Sequence, residues 1–358
     1  MKPKLLIIHL TQFGYHNNAY MYCKYLKDSY NITYLCYNTH RKRILLDGIK
    51  VIYVDAIPEQ QNIFASVWRN VGFFTTAFLQ LVKNPDRTII FYYKGCGKLR
   101  RIFKNKWMLL DIRTLSVSSN PKLNEQNDAF LKKEAELFNE VSFLSEGMRD
   151  KIKLQHPLSH IIPLGSEVIS TSVKKYYPLE LLYVGTVTNR HLEITLQGLK
   201  MFIDKYGDQN IRYHIVGNGN VPEDLELLKS EANELGVSHI TTFYGRIPNS
   251  ELRPFFDMCN IGVSFVPMTD YFDNQPVTKT YEYSMSGLYV IGTATSENCK
   301  AINKENGLLI NDSPSDFCKA LTSILNGHNY IKEAEIRNSL IDYEWRNIIE
   351  KKLKTILE

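Results

Sequence analysis

Residues 272–291 read "FDNQPVTKTYEYSMSGLYVI", and this stretch decides which fold the chain adopts. Pro276 suits the start of a helix, and the apolar run from Leu288 has the length of a buried strand. Lys279 and Glu282 lie three residues apart near that helix start, so they share one face of the helix. The stretch therefore predicts a helix and then a buried strand, with a cation and a carboxylate close to the strand ends.

Short apolar runs alternate with helical patterns along the rest of the chain. Runs of this length are typical of strands that are covered on both faces, and strands separated by helices favour parallel sheets. The predicted strands are residues 4–10, 31–37, 50–56, 88–93, 107–113, 141–145 and 160–165, and then 179–185, 211–217, 239–245, 260–267, 288–293 and 307–311. The predicted fold class is α/β, with two Rossmann-like doubly wound parallel-sheet domains.

The two blocks of strands define the domain organisation. A chain of 358 residues suits two domains, and we predict an N-terminal domain over 1–168 and a C-terminal domain over 169–335. The amphipathic segment 336–358 is expected to pack back toward the N-terminal domain. Ligands bind beyond the carboxyl ends of parallel strands, so a cleft between the two sheets is the expected active site.

Composition indicates a globular cytoplasmic protein. The formal net charge is +5, which does not by itself indicate nucleic acid, and the six cysteines show no metal or redox spacing. The longest apolar stretch, residues 63–82, contains Arg69, Asn70 and Gln80. Because these polar residues interrupt it, we expect a buried or membrane-surface helix and not a membrane-spanning one.

Two strand ends in the second block carry groups suited to phosphate. Gly217 and Gly219 follow one strand and precede a helix, where glycines let the backbone approach a phosphate or a base. The third glycine of a dinucleotide fingerprint is missing, so a plain tight turn remains the alternative. Arg190 follows another strand and could hold a diphosphate, or it could be a solvated surface residue. For Lys279 and Glu282 the alternative is a surface ion pair.

Residues 87–110, "RTIIFYYKGCGKLRRIFKNKWMLL", contain six lysines and arginines within 94–106 and no acidic residue. No nucleic-acid motif accompanies them. An anionic bilayer surface attracts such a segment, with Tyr93, Phe103 and Trp107 able to lie at the headgroup level. The alternative is a solvated loop.

Several segments together resemble family 4 glycosyltransferases, which have the GT-B fold. The segment "TKTYEYSMSGLYVI" resembles that family's signature "TKxxEYMAxGKPVI". The segments "LLYVGTVTNRHLEITLQGL", "YHIVGNGNVPEDLELL", "TTFYGRIPNSELRPFF" and "YEWRNIIEKKL" resemble further family segments in the family's order. The resemblance is continuous from about Phe138 onward, and the first third of the chain fits at the level of the fold.

The resemblance implies a role for particular residues. Glu282 matches the second glutamate of the family's E-x7-E motif and is expected to bind the ribose of a nucleotide. Lys279 and Arg190 are expected to bind the diphosphate, and with Glu282 they form the expected catalytic group. The expected donor-binding residues are Gly217, Gly219, Arg246, Ile247, Asn274, Gln275 and Thr278.

The chain departs from the family pattern at four places. The first glutamate of E-x7-E is Asn274, and the usual arginine after the "YVG" strand is Thr186. The glycine-rich loop of the N-terminal domain is reduced to Gly14, with His16 following. The family's usual cleft histidine is not evident, and Asp111 and Arg113 occupy a similar place. We assign Gly14, His16 and Arg113 to the acceptor side of the cleft.

The resemblance implies a glycosyltransferase that moves a sugar from a nucleotide-diphosphate sugar to a lipid-linked or growing glycan acceptor. As the donor, a UDP-sugar is favoured over a GDP-sugar. No Asp-x-Asp sequence occurs, so a metal-dependent clamp is not expected, and we expect no other cofactor. The resemblance implies a metal-independent transfer with retention of configuration. We expect no nucleic-acid partner and a cytoplasmic location at the inner face of the membrane. A sugar-nucleotide 2-epimerase and a non-catalytic nucleotide-sugar-binding protein are the alternatives.

Overall fold

The computed structural model describes residues 2–55, 63–116 and 120–358, without the side chains of 63–69 and 121. The chain forms two compact units. Unit 1 comprises Met1–Leu164 and Trp345–Glu358, and unit 2 comprises Gly165–Glu344. The units therefore divide after residues 164 and 344, whereas the sequence predicts boundaries after 168 and 335.

Parallel strands form a seven-stranded sheet in the described part of unit 1. They are β1 (Lys4–Ile8), β2 (Asn31–Asn38), β3 (Ile49–Asp55), β4 (Arg87–Phe91), β5 (Met108–Ile112), β6 (Glu140–Phe143) and β7 (Ser159–Ile161). Their order is β3-β2-β1-β4-β5-β6-β7. The order reverses between β1 and β4, which pair from Leu5 and Arg87 onward. Such a reversal is where open α/β sheets place their ligands.

The helices that connect these strands are α1 (Asn17–Leu26), α2 (Ile63–Val82), α3 (Gly97–Ile102), α4 (Pro121–Ala135) and α5 (Glu146–Lys151). Helix α2 covers the long apolar stretch, and it buries Phe73, Ala77 and Leu81 along one face. None of the described helices, α2 included, combines the length and apolar character needed to cross a membrane. Helix α3 lies within the basic segment, for which the sequence predicts no helix.

Unit 2 repeats the architecture with a six-stranded parallel sheet. Its strands are β8 (Leu179–Val184), β9 (Ile211–Val216), β10 (Thr241–Gly245), β11 (Ile261–Ser264), β12 (Tyr289–Thr293) and β13 (Gly307–Ile310). Their order is β10-β9-β8-β11-β12-β13, so the order reverses between β8 and β11. Each strand overlaps a predicted apolar run, and the prediction of two doubly wound parallel sheets is confirmed.

The helices of unit 2 are α6 (Glu193–Tyr206), α7 (Pro222–Glu234), α8 (Arg253–Met258), α9 (Asp270–Asp273), α10 (Thr278–Met285), α11 (Ser296–Ala301), α12 (Pro314–Gly327) and α13 (Glu333–Ser339). A large apolar core lies on one face of the sheet, where α6 and α12 bury Leu199 and Phe317. A smaller cluster lies on the other face and includes Phe256 and Tyr283. Helix α10 is the helix predicted from the opening stretch.

The chain returns to unit 1 after residue 344. Helix α14 (Trp345–Ile348), a π-helical turn (Ile349–Leu353) and α15 (Lys354–Leu357) follow one another there. The Trp345 ring is fully buried and lies edge-on to the Tyr22 ring of α1, with centroids 6.3 Å apart. Apolar burial of this kind is the main favourable term in packing, so the segment is part of the core of unit 1.

Candidate functional site

A pocket of about 250 Å³ lies at the carboxyl ends of β8 and β11 in unit 2. The strand ends supply Tyr183–Thr186 and Val263–Val266. The remaining lining residues come from the loop after β8, from α9 and the segment after it, and from the first residues of α10. They are Arg190, Tyr271, Phe272, Gln275, Pro276, Val277, Thr278 and Lys279. The pocket therefore occupies the topological switch point of this sheet, where parallel α/β sheets bind ligands.

Close packing of helix α10 on the sheet fixes one wall of this pocket. The Tyr283 hydroxyl of α10 accepts a hydrogen bond from the backbone N–H of Val184, at 2.8 Å. A Cβ on Gly262 would lie 2.3 Å from Cγ of Tyr283, which is closer than carbon atoms can approach. Glycine in β11 is thus required for the tyrosine to reach β8.

Lys279 and Glu282 form an ion pair on the first turns of α10. Their side chains are 18% and 11% exposed, so the pair is largely shielded from solvent, and Lys279 also lines the pocket. A shielded pair is screened less by water and salt than a surface pair. The sequence correctly predicts that the two residues share a face, and their functional roles stay predictions.

Arg190 lies at the pocket edge beside an aromatic ring. The Cζ atom of its guanidinium is 4.4 Å from the centroid of the Phe272 ring, a distance at which the ring quadrupole attracts a cation. The Tyr183 hydroxyl donates to the carbonyl oxygen of Thr186 at 2.6 Å and lies near the Arg190 charge, and burial raises the pKa of that hydroxyl. Arg190 is therefore half-buried and held in place, and it is not a freely solvated arginine.

The two glycines of the β9–α7 loop lie outside the lining of this pocket. A Cβ on Gly217 would lie 1.7 Å from the carbonyl oxygen of Gly185, and a Cβ on Gly219 would lie 2.2 Å from Cβ of Asp224. Oδ2 of Asp224 accepts hydrogen bonds from the backbone N–H of Asn220 at 3.1 Å and from the Thr188 hydroxyl. Backbone packing and an internal carboxylate thus shape this loop, and the donor-binding role of the two glycines stays a prediction.

The other predicted donor-binding residues divide into two groups. Gln275 and Thr278 line the pocket, whereas Arg246, Ile247 and Asn274 do not. Arg246 is exposed after β10, and Ile247 packs against the smaller apolar cluster. Asn274 ends α9, with its amide nitrogen 3.4 Å from the carbonyl oxygen of Asp270.

Asp273 anchors the short helix α9 beside the pocket. Its carboxylate accepts hydrogen bonds from the backbone N–H and the hydroxyl of Ser296, both at 2.7 Å. These two hydrogen bonds lower the pKa of Asp273. The aromatic rings of Tyr271 and Phe272 precede it in α9, and neither residue is among those that the sequence predicts for the site. Two consecutive aromatic residues within a polar loop are the signal that could have revealed them.

The predicted acceptor-side residues belong to unit 1. Gly14 has a φ of 88°, and a Cβ there would lie 2.5 Å from Cδ1 of Ile44. His16 is the N-cap of α1, and its Nδ1 accepts a hydrogen bond from the backbone N–H of Ala19 at 3.3 Å. Both residues therefore have a structural role at the start of α1.

Arg113 and Asp111 form a buried ion pair at the carboxyl end of β5, with Nε and Oδ2 2.8 Å apart. Asp111 also accepts hydrogen bonds from the hydroxyls of Tyr22 at 3.1 Å and Ser142 at 2.8 Å. Nη1 of Arg113 donates to the carbonyl oxygen of Ile162 at 2.7 Å, while Nη2 is buried without a hydrogen-bond partner in the described structure. Burial raises the pKa of Asp111 and lowers the pKa of Arg113.

His9 joins this group, although the sequence analysis above does not identify it. Its ring centroid lies 4.3 Å from that of His16 and 4.7 Å from that of Phe91. Nδ1 of His9 accepts a hydrogen bond from the backbone N–H of Thr11 at 2.8 Å. Burial lowers the pKa of both histidines, that of His16 to about 4 with a further contribution from the Arg113 charge. Both rings are therefore neutral at pH 7.

Comparison with known proteins identifies the family. Residues 174–343, nearly all of unit 2, match the family model of glycosyl transferases group 1. Unit 2 therefore has the domain of group 1 glycosyltransferases. No curated protein sequence matches it, so the remaining comparisons are with solved structures.

Solved glycosyltransferases share the whole fold of this enzyme. A sucrose-phosphate synthase from Thermosynechococcus elongatus is 15% identical with a TM-score of 0.75, over 99% of this chain and 98% of that one. The Anabaena protein HepE in complex with UDP is 11% identical with a TM-score of 0.75, over 99% of both chains. The lipopolysaccharide outer core galactosyltransferase WaaB is 16% identical with a TM-score of 0.71, over 99% of both chains. At such identities the similarity shows the fold, which is GT-B.

Metal-binding side chains do not gather in the part of this glycosyltransferase that the structure describes. Within residues 2–55, 63–116 and 120–358, no three His, Cys, Asp or Glu side chains are grouped so that they could hold a metal ion.

We expect the imidazole of His16 to titrate near pH 4 in the folded enzyme, because burial disfavours its charged form. In the urea-unfolded chain it should titrate near 6.5, so unfolding takes up a proton between these pH values. Lowering the pH across that window should therefore destabilise unit 1 by up to about 3 kcal/mol. NMR titration of the ring protons checks the pKa, and a folded-state value at or above 6 would contradict the expectation.

Proposed function

We propose that this glycosyltransferase moves a sugar from a nucleotide-diphosphate sugar to a lipid-linked or growing glycan acceptor. The proposed donor is a UDP-sugar in preference to a GDP-sugar. The observation that carries the proposal is the switch-point pocket of unit 2, which Arg190 and Lys279 line. Glu282 is not among the lining residues, and its carboxylate reaches the pocket wall through its ion pair with Lys279. A nucleoside diphosphate offers the complementary groups, namely phosphate oxygens for the cations and a ribose diol for the carboxylate.

The chemistry needs fixed cations at this position. Breaking the bond between the anomeric carbon and the phosphate oxygen leaves an oxocarbenium-like sugar and a diphosphate with growing negative charge. Cations held at the diphosphate stabilise the transition state more than the ground state, and this difference lowers the barrier. Arg190 is held by Phe272 and Lys279 by Glu282, so little reorganisation is needed. We therefore propose metal-independent transfer, with retention of configuration as in the family that the sequence resembles.

Similar structures support the choice of nucleotide and of acceptor class. HepE is described in complex with UDP and with UDP-glucose, and an E. coli trehalose-6-phosphate structure with UDP-2-fluoro glucose. WaaB and WaaG are described as lipopolysaccharide glycosyltransferases. These descriptions favour a uridine donor and a bacterial surface glycan as the acceptor of this enzyme.

A panel of nucleotide sugars tests the proposal directly. Released nucleoside diphosphate should be measured for UDP- and GDP-sugars with glycan and lipid-linked acceptors, with and without EDTA. We expect release with a UDP-sugar, unchanged by EDTA, because no metal-ligand cluster is found among the described residues.

The other possible outcomes each contradict a different part of the proposal. Full loss of activity in EDTA that manganese restores would overturn metal-independent transfer. Interconversion of the nucleotide sugar without an acceptor would indicate an epimerase, and tight donor binding without release would indicate a binding protein.

Replacing Glu282 with alanine should reduce turnover by about a hundredfold or more. The substitution removes the proposed ribose ligand and releases Lys279 from its ion pair. Glu335→Ala is the matched control, because Glu335 also pairs with a lysine three residues away but is exposed on α13. Steady-state kinetics measures turnover and circular dichroism checks folding. Near-normal turnover in a folded Glu282→Ala enzyme would remove Glu282 from the site.

We also propose that unit 1 contacts an anionic membrane from the cytoplasmic side. Lys94, Lys98, Arg101 and Lys104 are exposed around α3, and Ile102 is 52% exposed among them. Helix α2 contacts α3 through the rings of Phe78 and Phe103, with centroids 5.1 Å apart. It exposes further apolar side chains, which are Val71, Leu79 and Val82. Basic residues around exposed apolar ones suit the headgroup region of an anionic bilayer.

The structure assigns other residues of the basic segment to the fold of unit 1. Arg100 donates hydrogen bonds to the backbone carbonyls of Leu137, Phe103 and Lys104, at 2.9, 2.9 and 2.6 Å. The indole N–H of Trp107 donates to Glu140 at 3.0 Å. These two side chains hold unit 1 together, so a test of membrane contact should leave them intact.

Replacing Lys98, Arg101 and Lys104 with glutamine should weaken binding to anionic liposomes about a hundredfold, because each basic residue contributes about 1 kcal/mol near such a surface. Liposome sedimentation measures the effect, which should diminish in high salt. The control replaces Lys304, Lys319 and Lys332, three exposed lysines of unit 2. Equal loss in both triple variants would show that only net charge matters, and no loss in the first would end the membrane proposal.

A further inference from the structure

Side chains gather in unit 1 at the carboxyl ends of β1 and β5, beside the first turn of α1. We call His9, His16 and Arg113 together the unit 1 cluster. His9 follows β1, His16 caps α1 and Arg113 follows β5. Two aromatic rings are their neighbours. The centroid of the Phe91 ring lies 4.7 Å from that of His9 and 5.6 Å from that of Tyr22. The cluster lies at the switch point of the sheet of unit 1, where ligands bind to such sheets.

The hydrogen bonds of the two histidines fix where their protons lie. In both rings Nδ1 accepts a hydrogen bond from a backbone N–H, of Thr11 in one case and of Ala19 in the other. A neutral imidazole carries one proton, so that proton must be on Nε2. Neither Nε2 has a hydrogen-bond partner in the described structure, and both rings are half-buried. The cluster therefore presents two N–H donors that solvent or a ligand can reach.

Arg113 adds an independent reason to expect a ligand. Its side chain is 6% exposed, and its Nη2 is buried without a hydrogen-bond partner in the described structure. The guanidinium charge acts on the His16 ring, and its Cζ lies 5.3 Å from the centroid of the Tyr22 ring on α1. An unsatisfied buried donor costs about 1–3 kcal/mol. A bound anion near the start of α1 would offset part of that cost through its charge.

The cluster offers N–H donors but no free acceptor, and the charge of Arg113 is paired with that of Asp111. Both oxygens of Asp111 already accept hydrogen bonds, from Tyr22, Ser142 and Arg113. A sugar hydroxyl needs an acceptor for its own proton, whereas a phosphate oxygen only accepts. The first backbone N–H groups of a helix and its dipole also favour an anion. The chemistry of the cluster therefore matches a phosphate group and not a hydroxyl.

We propose that the unit 1 cluster binds a phosphate group of the acceptor substrate. This inference rests on the proposed transferase function, and it defines the acceptor as a phosphate ester, either a lipid phosphate or a sugar phosphate. The donor diphosphate already has Arg190 and Lys279 in unit 2. With Nδ1 occupied, the two histidines act as hydrogen-bond donors to the substrate and not as general bases.

The test compares variants that keep the fold but remove the Nε2 donors. His16→Asn retains a good N-cap oxygen for α1, and His9→Gln retains a polar side chain. His40→Asn is the matched control, because His40 is exposed and has a φ of 58°, which asparagine tolerates. Calorimetry measures the dissociation constants of farnesyl phosphate, glucose 1-phosphate and UDP. ¹⁵N NMR follows Nε2 of each histidine during a phosphate titration.

We expect the His9→Gln/His16→Asn enzyme to bind one of the two phosphate esters about tenfold or more weakly, with UDP affinity within twofold of the parent and His40→Asn unchanged. The ester that is affected identifies the acceptor class. Unchanged affinity for both esters, or Nε2 resonances whose chemical shifts do not change when phosphate is added, would overturn the proposal. An equal loss of UDP affinity would also overturn it, because the cluster would then serve the donor.

Binding is measured without turnover, so the outcomes separate this inference from the proposed function. Loss of ester binding in an enzyme that releases no nucleoside diphosphate would uphold the phosphate subsite and reject the transferase proposal. Normal turnover with unaltered ester binding in the double variant would reject the phosphate subsite and uphold the transferase proposal.

Discussion

The hydrogen bond from the Val184 N–H to the Tyr283 hydroxyl fixes the geometry of the unit 2 pocket. It joins the end of β8 to α10 through a tyrosine that is fully buried, and it exists only because Gly262 leaves room for the ring. A buried backbone N–H without a partner costs about 1–3 kcal/mol, so β8 and α10 stabilise one another. The position of Lys279 at the pocket, and of Glu282 as its ion-pair partner, follows from this contact.

A comparable constraint operates in unit 1, where the buried group is the carboxylate of Asp111 and not a tyrosine hydroxyl. Asp111 is completely buried, and it is stabilised by hydrogen bonds from Tyr22 of α1 and Ser142 of β6. A buried carboxylate must be compensated in this way, and the compensation uses both of its oxygens. What remains around it is a set of unused donors. The same desolvation that keeps His9 and His16 neutral thus determines which chemical groups this end of the sheet can bind.

Sequence alone predicts the sheets well, because every buried parallel strand is a short apolar run. It also places Lys279 and Glu282 together, since their contact depends on helical spacing alone. It does not reveal His9, because the cluster joins positions near 9, 16 and 113 that only the sheet brings together. Sequence also does not show that Gly219 packs against Asp224 or that Arg100 donates to backbone carbonyls, because both contacts depend on the folded backbone.

The path of the chain between the two units has a consequence for how the protein is made. Unit 2 is one uninterrupted segment, whereas unit 1 needs residues 345–358, which are synthesised after unit 2. The core of unit 1 therefore cannot be completed until all of unit 2 has been synthesised, because Trp345 packs beside Tyr22. Until then the core of unit 1 is open at that position.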